Sequence, residues 1–387
     1  MRCQPLLFLI ALGLALFMAI GCFRGSSVSE ETRSRIEQKA ETAKGLIRQR
    51  AQSGEDVSGV LATMEAAGGR FEKGDVARGE AFLDQALAKL QSGENLRHEF
   101  SEPASDLYND PQPVMVLGYD ATKGIMEPFI TRDGQYLLFN NGNAAHSTEG
   151  KKRDPDLHHA QRMNDHTFQY LGKIRGANSS MVDGAPSLDQ NNRLFFISPR
   201  AYKEKRSTIH TGIFKNGEAT DVGLVSGDIS PNKPGWLNMD AEISADGKTL
   251  YYTVNQWNTD FNVPKTSNLH VAQWVEDRFE RRDDSDKIFR NINTEELEYA
   301  PSLSADQLEL SFTRSRIIIK NGNFRGMVSR ILVASRQSLK EPFGEPRWIR
   351  TITGLVEGPT FTPDKKILYY HKQEAGTFRL YGVRRMK

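Results

Sequence analysis

Tyr-Ala-Pro-Ser-Leu-Ser-Ala-Asp-Gln-Leu-Glu-Leu-Ser-Phe, residues 299–312, sets the fold of this chain, because four other stretches are built like it. They are Met-Glu-Pro-Phe-Ile-Thr-Arg-Asp-Gly-Gln-Tyr-Leu-Leu-Phe at 126–139 and Gly-Ala-Pro-Ser-Leu-Asp-Gln-Asn-Asn-Arg-Leu-Phe-Phe at 184–196, then Asp-Ala-Glu-Ile-Ser-Ala-Asp-Gly-Lys-Thr-Leu-Tyr-Tyr at 240–252 and Glu-Gly-Pro-Thr-Phe-Thr-Pro-Asp-Lys-Lys-Ile-Leu-Tyr-Tyr at 357–370. Anchored on Pro128, Pro186, Ala241, Pro301 and Pro359, the copies step by 58, 55, 60 and 58 residues. Five residues beyond each anchor stands Asp133, Asn191, Asp246, Asp306 or Asp364. Asp, Asn and Gly tolerate the positive φ of tight turns, and the aromatic or aliphatic run after each turn favours strand. A unit of two to four strands cannot bury both its faces alone, so an even period implies copies packed on one another.

The expected fold is therefore an all-β propeller over 113–387, five-bladed, with a small N-terminal α-helical hairpin or stalk. The period exceeds the ~40–45 residues of a common propeller blade, which places the surplus in loops. The fifth copy ends at Lys387 with strands near 359–363, 367–371 and 377–384 and lacks a fourth. The run at 113–118 is expected to supply it and close the ring, which removes exposed sheet edges. A sixth, degenerate blade would have to lie between 198 and 240.

The N-terminal region reads differently. Arg2 precedes an uncharged apolar run from Leu6 to Ile20, of secretory-signal length, so 1–21 is set apart as a signal peptide. Residues 22–29 read as a tether. From 30 to 95 the apolar residues recur at helical spacing: Ile36, Ala40, Ala43 and Ile47, then Val57, Val60, Leu61, Met64 and Phe71 behind a possible Asp56 cap, then Val76, Leu83, Ala86, Leu87 and Leu90. About three helices follow from this. The third resembles half of a tetratricopeptide-type hairpin, too little for a peptide-binding array. Residues 96–112, polar and Pro-containing, read as a linker.

Fifty-one Lys and Arg against 49 Asp and Glu give a net charge of +2, which argues against a nucleic-acid partner. The two cysteines are Cys3, inside the signal, and Cys22, so no thiol pair, cysteine nucleophile or cysteine metal site remains in the mature chain. No phosphate-binding Gly-rich loop, Gly-x-Ser-x-Gly elbow or His-Glu-x-x-His occurs, and no cofactor is expected.

Two resemblances add to this reading. Ala19-Ile20-Gly21-Cys22 resembles the lipobox of bacterial lipoproteins, which implies lipidation of Cys22. Phe at position 23, by resemblance to the enterobacterial sorting rule, implies the periplasmic face of the outer membrane. Tyr-Ala-Pro-Ser-Leu-Ser-Ala-Asp at 299–306, Ile-Ser-Ala-Asp-Gly-Lys-Thr-Leu-Tyr-Tyr at 243–252 and Ser-Leu-Lys-Glu-Pro-Phe-Gly-Glu-Pro at 338–346 resemble the WD-like propeller repeats of bacterial envelope proteins, the propeller of the Tol translocation system among them. That resemblance covers about 113–387 and implies a scaffold or partner-binding role.

For a site, the long second-to-third strand connections, about 140–166, 198–208, 254–267 and 313–328, would share one face with the inter-blade positions. Those positions carry an acid in each copy: Glu127, Asp183, Asp240, Glu298 and Glu357. They are expected to ring the channel mouth, either holding backbone or attracting cations and sugar hydroxyls. Trp236 and Trp257 are candidate rim aromatics. His146, His158, His159 and His166 crowd the first long loop with Asp154, Asp156 and Asp165. Their spacing fits no metal motif, and with Lys151-Lys152-Arg153 they read as a solvated polar loop. The expected function is a lipid-anchored module binding an envelope protein or glycan without turnover. The alternative is a propeller glycoside hydrolase or lyase acting on a polysaccharide. Met-Glu-Pro-Phe-Ile and Val-Glu-Gly-Pro resemble the acidic motifs of five-bladed glycosidases, and such chemistry needs two carboxylates flanking the bond.

Overall fold

The computed structural model describes residues 29–52, 55, 57–72, 74–92, 102–142, 155–258, 263–320 and 323–386. The signal stretch, Cys22, Asp56, His146, Lys151-Lys152-Arg153 and Asp154 lie outside the described residues.

Three helices span Glu30–Gln52, Ser58–Glu72 and Val76–Ser92. Their apolar stripes close on each other: Ile36, Ala40, Ala43 and Ile47 pack with Val60, Met64, Phe71, Leu83, Ala86 and Leu90 in a core drawn from these helices alone. The close approach depends on Gly79, where a Cβ would stand 2.5 Å from a Phe71 ring carbon. Among the described residues no helix is long and apolar enough to cross a membrane.

The rest is β structure. Each of the five sequence copies forms its own antiparallel meander. The first comprises Met126–Ile130, Tyr136–Asn140, Leu157–Asn164 and Thr167–Lys173, and the second Gly184–Leu188, Arg193–Ile197, Ile209–Lys215 and Glu218–Leu224. The third is Trp236–Ile243, Thr249–Asn258, Val263–Val275 and Arg278–Arg281, and the fourth Leu297–Leu303, Glu309–Lys320, Asn323–Ser335 and Arg347–Ile349. The fifth is Val356–Phe361, Ile367–Glu374 and Thr377–Arg384. The stretch 198–240 thus supplies the second copy's outer strands rather than a separate unit. The third and fourth meanders belong to one ten-stranded sheet, joined where Ser267 pairs in parallel with Leu297.

The missing fourth strand of the fifth copy comes from upstream, with a shifted boundary. Gln112–Pro113 pairs antiparallel with Tyr381 and Gly382, and Val114 N–H donates to Leu380 O. The chain then leaves that sheet, and Met115–Leu117 pairs in parallel with Thr167, Phe168 and Gln169 of the first copy. So the 113–118 run divides between two neighbouring sheets. Within the stretch read as a linker, Ala104–Ser105 pairs in parallel with Trp348 and Ile349, Tyr108 is fully buried and bridges to Arg385, and Glu102 pairs with buried Arg314. Residues 102–113 therefore run as a strap over the outer strands of the fourth and fifth copies.

Two expected loops are strand. Residues 254–258 with 263–267, and 313–320 with 323–328, prolong the second and third strands into long hairpins. Ile317, Ile318 and Ile319 explain the second, since β-branched residues hold extended backbone.

The inner strands touch in cyclic order, 126–130 against 184–188, then 236–243, 297–303, 356–361 and back to 126–130. No backbone ladder joins them, so side chains provide the bonds. In four copies the residue after the anchor accepts from the next copy's strand: Ser187 Oγ from Ile243 N–H at 2.9 Å, Glu242 Oε1 from Leu303 N–H at 3.2 Å, Ser302 Oγ from Phe361 N–H at 3.3 Å and Thr360 Oγ1 from Ile130 N–H at 3.2 Å. The last of these joins the final copy to the first. In the first copy the position is Phe129, which has no acceptor.

Candidate functional site

The turn chemistry repeats closely. Thr131, Ser244, Ser304 and Thr362 each donate a hydroxyl to the turn aspartate, at 2.6, 2.5, 2.6 and 2.7 Å, and each aspartate accepts the N–H two residues on. In the second copy Asp189 takes over this task, accepting from the Asn191 and Arg193 N–H groups, which is why Asn191 suffices at the turn.

Ahead of the turn each inner strand carries a bulge, the register shifting across Met126/Phe129, Gly184/Ser187, Met239/Glu242, Tyr299/Ser302 and Glu357/Thr360. The residue just before each anchor is left-handed: Glu127 at φ 46, Ala185 at 48, Asp240 at 53, Ala300 at 50 and Gly358 at 61. Five equal bulges mark a property of the fold, since an isolated left-handed residue would point to local strain. Polar residues twelve beyond the anchor hold three of these turned residues in the next copy. Asn140 Oδ1 accepts from Ala185 N–H at 3.1 Å, Thr313 Oγ1 from Gly358 N–H at 3.1 Å and His371 Nδ1 from Glu127 N–H at 3.2 Å.

This geometry sorts the five acids. Asp183 and Glu298 stand three residues before their anchors and are clamps. Asp183 accepts from Ser179 N–H at 2.6 Å and Ser179 Oγ at 2.8 Å and pairs with Arg200. Glu298 accepts from Thr294 N–H at 3.0 Å and pairs with Arg314 Nε at 2.8 Å. Glu127 and Asp240 occupy the left-handed position itself and line a small, partly open cavity of about 30 Å³ between the inner strands. Glu357 stands two before its anchor and joins them through His371, whose Nε2 lies 3.3 Å from Glu357 Oε2 and 3.9 Å from Glu127 Oε1. Those two oxygens are therefore closer than the roughly 9.5 Å that bounds a hydrolytic carboxylate pair. The expectation of one equivalent acid per copy is corrected accordingly: two are clamps and three form a single cluster.

The three carboxyls differ in proton affinity. Burial raises Glu127 well above the usual carboxyl range, and the charges of Asp240 and Glu357 add to the shift. Its carboxylate accepts no hydrogen bond among the described residues, so nothing supports the ionised form. Burial likewise pushes Asp240 up to about 6, against hydrogen bonds from Ala300 N–H and Thr253 Oγ1. Burial also opposes ionisation of Glu357, but His371 and the Tyr299 hydroxyl outweigh it and hold Glu357 below the ordinary value. Because Nδ1 of His371 accepts the Glu127 amide, Nε2 carries the proton that faces Glu357.

The remaining candidates fall elsewhere. Trp236 and Trp257 meet at the far end of the third copy's hairpin, Trp236 opposite Gln256 and Trp257 N–H donating to Gly235 O at 2.7 Å. His158 and His159 are buried strand residues rather than members of a solvated loop. His158 bonds Tyr170 Oη at 2.8 Å and Asn141 Oδ1 at 3.2 Å, and burial lowers it to about 4; His159 bonds Gly172 O at 3.1 Å. His166 lies in the following turn. Among the described residues no three His, Cys, Asp or Glu gather as metal ligands. Sequence reasoning missed His371, Tyr299, Glu242 and Arg132. His371 had a signal: it is the imidazole at a position where the other copies carry Asn140, Ser198, Thr253 and Thr313.

No protein-family model matches the chain, and no curated protein matches it. Solved structures do. A glycoside hydrolase is 10% identical with a TM-score of 0.48, covering 72% of this chain and 92% of its own. A family 117 glycoside hydrolase of the marine bacterium Zobellia galactanivorans is 10% identical with a TM-score of 0.44, covering 72% and 90%. The arabinanase of Bacillus subtilis is 14% identical with a TM-score of 0.40, covering 68% and 94%. The expectation of a module that binds without turnover is corrected by these similarities: the three structures named are glycoside hydrolases, the alternative reading of the sequence. Three acids gather once, with opposed proton affinities, where a scaffold would repeat a backbone clamp five times.

Proposed function

We propose that this chain is a five-bladed β-propeller that hydrolyses glycosidic bonds of a polysaccharide at its axis. One observation carries the reading: Glu127 and Asp240 line one cavity between the inner strands, Glu357 of a third copy adjoins Glu127 through His371, and burial and neighbours push their proton affinities in opposite directions. Carboxyls driven apart in this way can divide acid and base work. Glu127, whose proton affinity burial raises, donates its proton to the departing glycosidic oxygen. Glu357, kept ionised by His371 and Tyr299, takes a proton from water as that water's oxygen bonds the sugar carbon. Asp240 stands beside them as the charge that keeps Glu127 protonated. Trp236, four residues ahead of Asp240 on the same strand, and Trp257 beside it offer half-buried rings to sugar faces. The test is release of reducing ends from a panel of neutral and charged polysaccharides. Glu127→Gln and Glu357→Gln should each lower kcat by roughly 100-fold or more with the fold retained. No release from any polysaccharide by the unaltered protein would remove the reading.

The envelope setting belongs to the same proposal. Residues 1–21 act as a signal peptide, Cys22 carries lipid, and the helical unit within 30–95 spaces the β domain from the outer membrane. More than one acyl chain on the N-terminal cysteine holds a protein to a bilayer without a spanning helix. Labelling with a radioactive fatty acid tests it: the wild-type chain should take up label and Cys22→Ala should not.

A further inference from the structure

Beneath the acid cluster lies a charged pair that the packing of the inner strands does not require. Arg132, four residues past the first anchor, sends Nη2 to Glu242 Oε1 at 3.0 Å and to Ile243 O, reaching from the first copy to the third. Glu242 also accepts from Ser187 Oγ at 3.2 Å and Leu303 N–H at 3.2 Å, so four copies meet at one carboxylate. Its side chain is 5% exposed, and it lines the same cavity as Asp240, two residues away. Yet Ser187, Ser302 and Thr360 make the same inter-strand bond at the equivalent position with a neutral hydroxyl. A buried ion pair is harder to desolvate than a hydroxyl, and replacing one by neutral groups is often harmless to stability. The charge at 242 therefore has another use.

We infer that Arg132 and Glu242 are positioning residues that set the charge balance of the acid cavity, Glu242 adding a negative charge at its floor and Arg132 cancelling most of it from below. Glu127, Asp240 and Glu242 line that cavity, Glu357 adjoins Glu127 through His371 with Tyr299 against it, and Arg132 pairs with Glu242. Arg132 also lines a separate cavity of about 720 Å³ among the tight turns, chiefly those of the first two copies. Burial raises the proton affinity of Glu242 and Arg132 opposes that shift, so losing Arg132 removes the cation that holds charge at 242, and any charge left there raises the proton affinity of the acids nearby. Losing the Glu242 charge leaves Arg132 alone and lowers it.

This rests on the proposed hydrolytic role for its purpose but not for its test. Asp and Glu labelled with ¹³C at the side-chain carboxyl report titration directly, the axial signals being assigned by their loss in Glu127→Gln, Asp240→Asn and Glu357→Gln. Arg132→Met should move the axial midpoints up by roughly one pH unit, Glu242→Gln should move them down, and Arg132→Lys should stay near wild type. The double variant Arg132→Met with Glu242→Ser, which restores the neutral bond seen in other copies, should keep the fold and return the midpoints close to wild type. If both single variants lose melting temperature while the axial midpoints stay put, the pair is structural only and the inference is overturned. The predicted opposite shifts in a protein that hydrolyses nothing would retain this inference and reject the hydrolase.

Discussion

Glu127 and His371 meet where the last copy returns to the first: the Glu127 N–H donates to His371 Nδ1 at 3.2 Å, between residues 244 apart in sequence. The same ring turns its other nitrogen to Glu357. One imidazole thus closes the ring of copies and tunes a carboxylate, and the two duties separate by mutation.

His371→Asn keeps an acceptor for the Glu127 amide, as Asn140 does for Ala185. It should cost less than about 1 kcal/mol in urea unfolding, whereas His371→Ala should cost about 1–3 kcal/mol by orphaning a buried N–H. Both should raise the proton affinity of Glu357 and move the acid limb of any activity profile to higher pH. Equal stability losses in the two variants would refute the division of duties.

Asp240→Asn should change stability in a pH-dependent way. The folded-state value is raised from the ordinary 3.8 to about 6. A raised acid favours folding below its unfolded value and loses that contribution as pH rises through its folded value. Asp240 therefore weighs on the fold increasingly between pH 4 and about 6 and constantly above. The Asn variant should melt higher than wild type at pH 7.5 by an amount equivalent to about 1–3 kcal/mol, and close to wild type at pH 4. A pH-independent difference would contradict the assignment.

Arg314 is buried between Glu298, Glu102 and the Ile292 carbonyl. Arg314→Leu leaves Glu298 buried without its partner, and the urea midpoint should fall by the equivalent of about 3–5 kcal/mol. Arg314→Leu with Glu298→Leu should recover much of that loss. Failure to recover would mean that the Thr294 bonds, rather than the charge pair, hold this corner.

Tyr108 tests the strap. It is buried in the core that Val356, Leu368, Tyr370 and Val383 form, with Arg385 against its ring. Tyr108→Ala should cost about 3–5 kcal/mol and speed amide exchange in 377–384 ahead of the other outer strands. Uniform exchange across all copies would show that the strap is dispensable for closure.

Several features were legible because they are local. A Ser or Thr two residues before a turn Asp, followed by an aromatic run, is written within about ten residues, and its physics is complete there: hydroxyl to carboxylate, carboxylate to N–H, strand propensity after. The helical stripes from Ile36 to Leu90 were legible for the same reason. The long hairpins were missed because extended backbone past 254 and 313 is stabilised only by pairing with 263–267 and 323–328, and polar residues there read as loop. His158 and His159 looked solvated because nothing nearby in sequence announces Tyr170 or Phe214 against them.

From the amino-acid order alone came the five copies, their turns and the helical unit ahead of them, since each depends on contacts a few residues long. The three-dimensional arrangement alone decided which acids act together. Glu127, Asp183, Asp240, Glu298 and Glu357 look alike along the chain, one to three places before an anchor. The bulge turns one of those places inward, and packing gives Glu357 a histidine and a tyrosine, Asp183 and Glu298 an arginine each, Asp240 the Ala300 N–H from the next copy, and the Glu127 carboxylate no hydrogen bond among the described residues. Proton affinity follows from burial and neighbours, and neighbours are set by how the copies pack on one another.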